Sequence, residues 1–298
     1  MIVAKNVSKS FEGFEALKDV SLSVEKGSVY GLVGSNGAGK TTLLKLLSGI
    51  YKQDSGEVYI DDNEVYENID IKSDMIFMPD TLYFFSQYTI KEMSKFYKRI
   101  YANWNEDRFK KLEQVFNIDI NKRINSLSKG MQRQVAFWLS LSTMPKVMIL
   151  DEPVDGLDPV MRKKIKNLII QDVAEREMTV FISSHNLREL EDICDHIGIL
   201  HKGSMIIQKD LDDLKSDVHK IQVAFDEIPK DILDNIDVLY KEERGSIVLL
   251  IVRGKRENAI STLEKYEPKI LDVLPLTLEE IFIYEMGGIG YEIENIIF

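Results

Sequence analysis

Residues 34–41 read Gly-Ser-Asn-Gly-Ala-Gly-Lys-Thr. The spacing Gly-x-x-x-x-Gly-Lys-Thr constrains this chain more than any other feature, because it works only where a buried strand enters it and a helix leaves it. Both neighbours are predicted. Residues 29–33 form a short apolar run with β-forming side chains, and residues 41–50 carry Leu43, Leu44, Leu46 and Leu47 at helical spacing, with Gly49 suited to the end. Glycines let such a backbone wrap tightly and aim N–H groups at phosphate oxygens, while the helix offers its N-terminus to the same anion. Gly34, Ser35, Asn36, Gly37, Ala38, Gly39, Lys40, Thr41 and Thr42 are therefore the expected phosphate cradle. Lys40 is placed to reach the terminal phosphates, and Thr41 to ligate Mg²⁺.

A second buried strand, residues 147–150, ends in Asp151-Glu152. Beside a phosphate loop, Asp151 is expected to hold Mg²⁺ through water and Glu152 to polarise an attacking water. Helical patterns at 162–176 and 187–194 flank a strand at 179–183. This alternation predicts a parallel sheet covered on both faces. The first thirty residues read as antiparallel strands, 57–78 as more strands, and 90–141 as helical. A charged stretch at 211–218 marks a boundary. Beyond it, strands at 220–225 and 246–252 and helices at 257–266 and 278–286 predict a small α+β module, with a loosely attached tail after Gly287-Gly288.

At 298 residues the chain suffices for one large domain and a smaller one. Its formal net charge of −11 argues against a general nucleic-acid binder, which carries a basic footprint. The longest aliphatic run, residues 247–252, falls far short of the roughly 20 that a membrane-spanning helix needs. No signal-peptide pattern opens the chain, and the single Cys194 has no internal disulfide partner, so a cytoplasmic protein is expected.

Taken in order, the motifs resemble those of the nucleotide-binding subunit of an ABC transporter, over roughly residues 1–208. Leu127-Ser128-Lys129-Gly130-Met131-Gln132 resembles the signature Leu-Ser-Gly-Gly-Gln, Gly156-Leu157-Asp158 the D-loop, and Ser184-His185 the switch histidine after a strand. Phe11 sits where the family places an aromatic that stacks on adenine. The resemblance implies an α/β fold of the P-loop ABC ATPase type in residues 1–208. It would have a parallel-sheet core, an antiparallel β subdomain and a helical subdomain at about 83–137, followed by an accessory α+β module at 213–298. It implies ATP hydrolysis with ATP and Mg²⁺, Glu152 and His185 being catalytic. Ser128 and Gly130 would cap ATP held by the opposite subunit, and Asp158 would help join the two sites. Implied partners are a second ATPase subunit, identical or paralogous, and a separate membrane permease, with the chain peripheral on the cytoplasmic face of the membrane and no nucleic acid.

Two departures stand out. Met78-Pro79-Asp80 fills the place where the family offers a glutamine, so Asp80 is either a hard Mg²⁺ ligand or a turn acid. Lys129 replaces a signature glycine and either attracts phosphate or faces solvent. Both departures resemble small bacterial exporters of the bacitracin-export and acetoin-utilisation groups. Aromatic residues Phe84, Phe85, Tyr88, Phe96 and Tyr97 mark either a docking surface for the permease or the helical subdomain's own core. The alternative function is a soluble ABC-type ATPase acting in translation or DNA repair, or an ATP sensor. Against these stand the single phosphate loop, the lack of a sustained heptad run, and the intact pair Glu152 and His185.

Overall fold

The structure, a computed structural model, describes residues 1–225 and 236–288. The tail expected after Gly288 lies outside the described residues. The chain divides into two compact units, one of Met1–His185 with Ile193–Gln208, the other of Asn186–Asp192 with the described residues from Lys209 onward.

The first unit opens with β1 (Ile2–Phe11), β2 (Phe14–Val24), β3 (Val29–Val33), α1 (Lys40–Leu47), β4 (Ser55–Ile60), β5 (Asn63–Glu64), α2 (Ile69–Ser73) and β6 (Met75–Met78). Helices α3 (Ile90–Ile100), α4 (Glu106–Phe116) and α5 (Lys129–Ser142) follow, and then β7 (Val147–Asp151), α6 (Pro159–Arg176) and β8 (Thr179–Ser184). After α7 (Leu187–Glu191), the chain returns through β9 (His196–His201) and β10 (Ser204–Asp210). One sheet has the order β2-β1-β4-β5 and is antiparallel. The other has the order β10-β9-β3-β8-β7-β6, with β9, β3, β8, β7 and β6 parallel. Every residue of β3, β7 and β8 is buried, which is why each is built round a continuous apolar stretch rather than an alternating one. Leu43, Leu44, Leu46 and Leu47 of α1 join Leu22, Leu32, Ile149 and Phe181 in one core. Each such leucine contributes about 1.5–3 kcal/mol relative to exposure.

The helices from α3 to α5 have their own packing. Thr89 and Glu92 form a reciprocal cap at the start of α3. Trp138 of α5 stacks on Phe109 of α4 at 4.7 Å, with Phe116 at 6.1 Å, and its indole N–H donates to the Phe109 carbonyl at 2.8 Å. Buried Asp172 of α6 accepts from Arg108 at 2.8 Å and Arg176 at 3.1 Å, tying α4 to the sheet-covering helix.

The second unit adds α8 (Leu211–Asp217), β11 (Val218–Ala224), β12 (Asp237–Arg244), β13 (Ile247–Arg253), α9 (Arg256–Glu264), β14 (Ile270–Leu274) and α10 (Leu278–Gly288). Its sheet runs β12-β13-β11-β14, and every pairing is antiparallel. Ile221, Val223, Val248, Leu250, Val252 and Leu263 form its core. Helix α7 folds with this unit, through Arg188 to Glu279 at 3.0 Å and Glu191 to Lys215 at 2.9 Å.

Several local expectations are corrected. Residues 57–78 are not all strand: Asn68 caps α2 by accepting from Ile71 N, which breaks the run before β6. Helix α6 starts at Pro159 because Asp158 caps it, and α7 stops at Glu191 rather than reaching Cys194. The charged stretch 211–218 is largely helix, with Leu211 and Leu214 buried. Among the described residues no helix is long and apolar enough to cross a membrane.

Trp138→Ala should lower the stability of the first unit by about 3–5 kcal/mol, read as an earlier midpoint in urea unfolding followed by circular dichroism.

Candidate active site

The phosphate loop joins the C-terminal end of β3 to the first turn of α1. Two of its glycines are dictated by their surroundings. A Cβ on Gly34 would stand 2.4 Å from the Leu200 carbonyl oxygen. Gly39 sits at φ +108°, and a Cβ there would meet the Ala16 carbonyl oxygen at 2.7 Å. The loop is thus pressed against its neighbours. Lys40 follows and is 6% exposed. Its ammonium donates to Gly34 O at 2.6 Å and lies 3.6 Å from Glu152 Oε1. Burial pulls its pKa below the usual lysine value, and the carboxylates of Glu152 and Asp151 partly offset that pull.

Across the cleft, the register that pairs Asp151 with Ser183 brings three polar side chains together. Thr41 Oγ1 donates to Asp151 Oδ2 at 2.7 Å, and Ser183 Oγ to Asp151 Oδ1 at 2.5 Å. Glu152, the next residue, has φ +46°, a left-handed conformation that costs a side-chain-bearing residue about 1–3 kcal/mol and persists only where the surroundings hold it. Its backbone N–H donates to Ser183 O at 3.2 Å. Its Oε2 lies 2.9 Å from His185 Nδ1 and accepts from the His185 backbone N–H at 3.3 Å. The carboxylate is therefore gripped between a buried cation and a histidine.

These groups edge a cleft of about 370 Å³. Its wall includes Ser35, Asn36, Gly37, Gly39, Lys40, Thr41, Thr42, Asp151, Glu152, Asp80 and Phe11. Gly34 and Ala38, expected in the cradle, are not among the residues that line it. Phe11 is 38% exposed, braced edge-on by Tyr51 at 5.4 Å, with Lys9 5.5 Å from its ring centre. Phe14 pairs with Phe11 across the β1–β2 turn and also lines the cleft. Oxygen donors on Thr41, Asp151 and Asp80 have the chemistry that Mg²⁺ takes. Among the described residues no three acidic, histidine or cysteine side chains cluster as a ready metal site. A Mg²⁺ here would need further oxygens from phosphate and water.

Residues 17–155 match the family model described as ABC transporter. The ABC transporter ATP-binding protein YtrB of Bacillus subtilis is 35% identical over 97% of this chain and 99% of its own length. The chain belongs to the ATP-binding proteins of ABC transporters. The bacitracin transport ATP-binding protein BcrA of Bacillus licheniformis is 27% identical over 97% of this chain and 98% of its own. The dimeric structure of MJ0796, a bacterial ABC transporter cassette, superposes with a TM-score of 0.65 at 26% identity, covering 71% of this chain and 99% of that one. The resemblance and fold class read from the motifs are therefore correct. The similarity to YtrB and BcrA extends along nearly the whole chain, whereas the cassette MJ0796 matches less of it.

Family membership frames the residues that the cleft leaves out. Ser128 is exposed and caps α5, accepting from Met131 N at 3.3 Å. Gly130 stays small because a Cβ there would stand 2.8 Å from Gly156 O. Asp158 caps α6, accepting from Val160 N and Met161 N at 3.0 Å. None of the three lines the cleft of its own chain. Lys129 opens α5 and is exposed. Phe14 and Ala16, which line the cleft, and Ser183, buried against Asp151, escaped the motif reading. Ser183 had one signal, a polar residue closing an apolar strand, and Phe14 had none, because the hairpin register alone carries it to the cleft.

Gly39→Ala should destabilise the nucleotide-free protein by about 1–3 kcal/mol, visible as a lower melting temperature, since both its φ and its contact with Ala16 O must relax.

Proposed function

We propose that this chain is the ATP-hydrolysing subunit of an exporter, working as a pair of ATPase subunits on a separate membrane permease. The observation that carries the proposal is Glu152, held between Lys40 and His185 beside the Thr41–Asp151 pair. In the proposed reaction, water attacks the γ-phosphorus and the bond to the β–γ bridging oxygen breaks, giving ADP and phosphate. Glu152 orients the water and accepts its proton. Lys40, buried and bonded to its own loop, exchanges the Gly34 carbonyl for phosphate oxygens, a stronger charge-assisted partner. His185 holds Glu152 and contacts the γ-phosphate. Phe11 stacks on the adenine, with Phe14 beside it. Thr41, Asp151 and Asp80 would hold Mg²⁺, which neutralises phosphate charge when bound.

Ser128 and Gly130 act in this scheme on ATP held by the other subunit, and Asp158 links the two sites. Their position outside their own cleft supports that reading, as does the dimeric state of the cassette MJ0796. ATP thus joins two subunits, identical or paralogous, and phosphate release lets them part. The ATPase domain is assigned to residues 1–208, with its helical subdomain at about 83–137, and the accessory module to 213–298.

The permease is placed at the aromatic face of the helical subdomain. There a cavity of about 220 Å³ is bounded by Tyr83, Phe85, Phe96, Tyr97 and Tyr101. Tyr83 is 84% exposed, whereas Phe84 is buried and belongs to the core, not to the surface. Docking there would hold the chain on the cytoplasmic face of the membrane. The export direction draws support from the bacitracin transport named for BcrA.

Glu152→Gln should cut ATP turnover by about 10²–10⁴-fold and let an ATP-bound dimer accumulate in size-exclusion chromatography. Hydrolysis at the wild-type rate would remove Glu152 from the mechanism.

A further inference from the structure

One buried cation near the cleft has no part in the scheme above. Arg133 lies on α5, five positions after Ser128, and is 9% exposed. Its Nη1 donates to the backbone carbonyl of Glu152. Its Nη2 donates to the backbone carbonyl of Asp80 at 2.6 Å and to Asp80 Oδ1 at 3.2 Å. A single guanidinium therefore joins three segments that are far apart in sequence: the turn after β6, the turn after β7 and the helix that Ser128 and Gly130 begin.

We propose that Arg133 is a positioning residue for ATP hydrolysis, clamping the Glu152 and Asp80 turns to the signature helix so that the water-orienting carboxylate is held in its working place. The proposal rests on the hydrolytic function proposed for this site. Three physical points support it. Glu152 keeps a left-handed backbone at φ +46°, and such a conformation survives only where its surroundings over-determine it. Arg133 supplies a charge-assisted bond to that residue's own carbonyl.

The second point is the geometry of the donor. Two carbonyls and a carboxylate in different directions suit a planar fork of five N–H groups, which a lysine ammonium on a flexible stem does not reproduce. The third is the electrostatics. Isolated in a mostly buried setting the guanidinium would be costly, and the Asp80 carboxylate partly neutralises it. Asp80 lines the nucleotide cleft, so the clamp reaches the cleft wall as well as Glu152. The clamp also gives Asp80, which stands where relatives of this type of site offer glutamine, a role independent of metal ligation.

The test compares wild type, Arg133→Lys and Asp80→Asn in the full chain. Arg133→Lys should lower kcat by about 10–100-fold while leaving the KM for ATP and the affinity for a fluorescent ATP analogue within about threefold. The lysine should fail to rescue, because its charge is kept and its fork is lost. In the nucleotide-free protein, hydrogen exchange should show lost protection in peptides covering 80–82 and 152–157, with β7 still protected. Asp80→Asn keeps Arg133 and both carbonyl contacts, and in the double variant with Arg133→Lys its fall in kcat should not be additive, whereas a loss through Mg²⁺ alone would add. Wild-type kcat in Arg133→Lys overturns the proposal, whether or not exchange changes, since the contact would then be structural alone. Should Arg133→Lys fail to fold, wild-type kcat in Arg133→Gln, which loses both the charge and the fork, overturns it equally. Wild-type hydrolysis in Glu152→Gln would instead overturn the proposed function, a result distinct from wild-type kcat in Arg133→Lys with Glu152→Gln inactive, which overturns the clamp alone.

Discussion

The parallel pairing of β8 between β3 and β7 is the constraint on which the rest of the site depends. It sets Val33 beside Ser184, and Ser183 beside Asp151. The loop leaving β3 and the acids leaving β7 therefore open at the same edge of the sheet. A shift of one residue in either register would turn Asp151 away from Thr41 and Ser183 toward the opposite face. The apolar burial of all three strands is what holds that register, so the chemistry of the site is a consequence of how the core packs.

Given that register, the electrostatics follow. Lys40 is a buried cation whose pKa is depressed by burial, and its present partners are two carbonyls of its own loop, Gly34 and Ser35, and the edge of Glu152. Such a group is poised for an anion, because a phosphate offers it more than a carbonyl does. Glu152 is held from two other directions, by His185 at its carboxylate and by Arg133 at its backbone. Each of these partners arrives from a different element, and each restricts a different degree of freedom.

What the amino-acid sequence revealed and what it hid divide along the range of the interactions. The phosphate loop, the Asp151-Glu152 strand end and the Ser184-His185 pair were legible because each is a local strand-to-loop pattern. Ser183 and Arg133 were not, because their partners Asp151 and Asp80 lie 32 and 53 residues away, and Phe14 was not, because only the register of its hairpin with Phe11 carries it to the cleft. In the second unit, β12 was missed because its Lys-Glu-Glu-Arg end reads as solvated surface, and it pairs because β13 offers it an edge. Helix α8 hid behind its charges, although two leucines in seven residues suffice to bury one face. Asp80 remained open between two roles in the sequence. Its contact with Arg133 is a third, visible only once α5 is folded against the turn.

The central claim is that a working site is built from the phosphate loop of one subunit and Ser128 of another. Mixing two inactive variants, Lys40→Ala and Ser128→Arg, tests it most directly. Each alone should lack ATPase activity. A mixed dimer pairs the intact loop of the Ser128→Arg copy with the intact signature of the Lys40→Ala copy, so the account expects turnover to reappear on mixing. A mixture as inactive as its components, with mixed dimers demonstrably present, would contradict it.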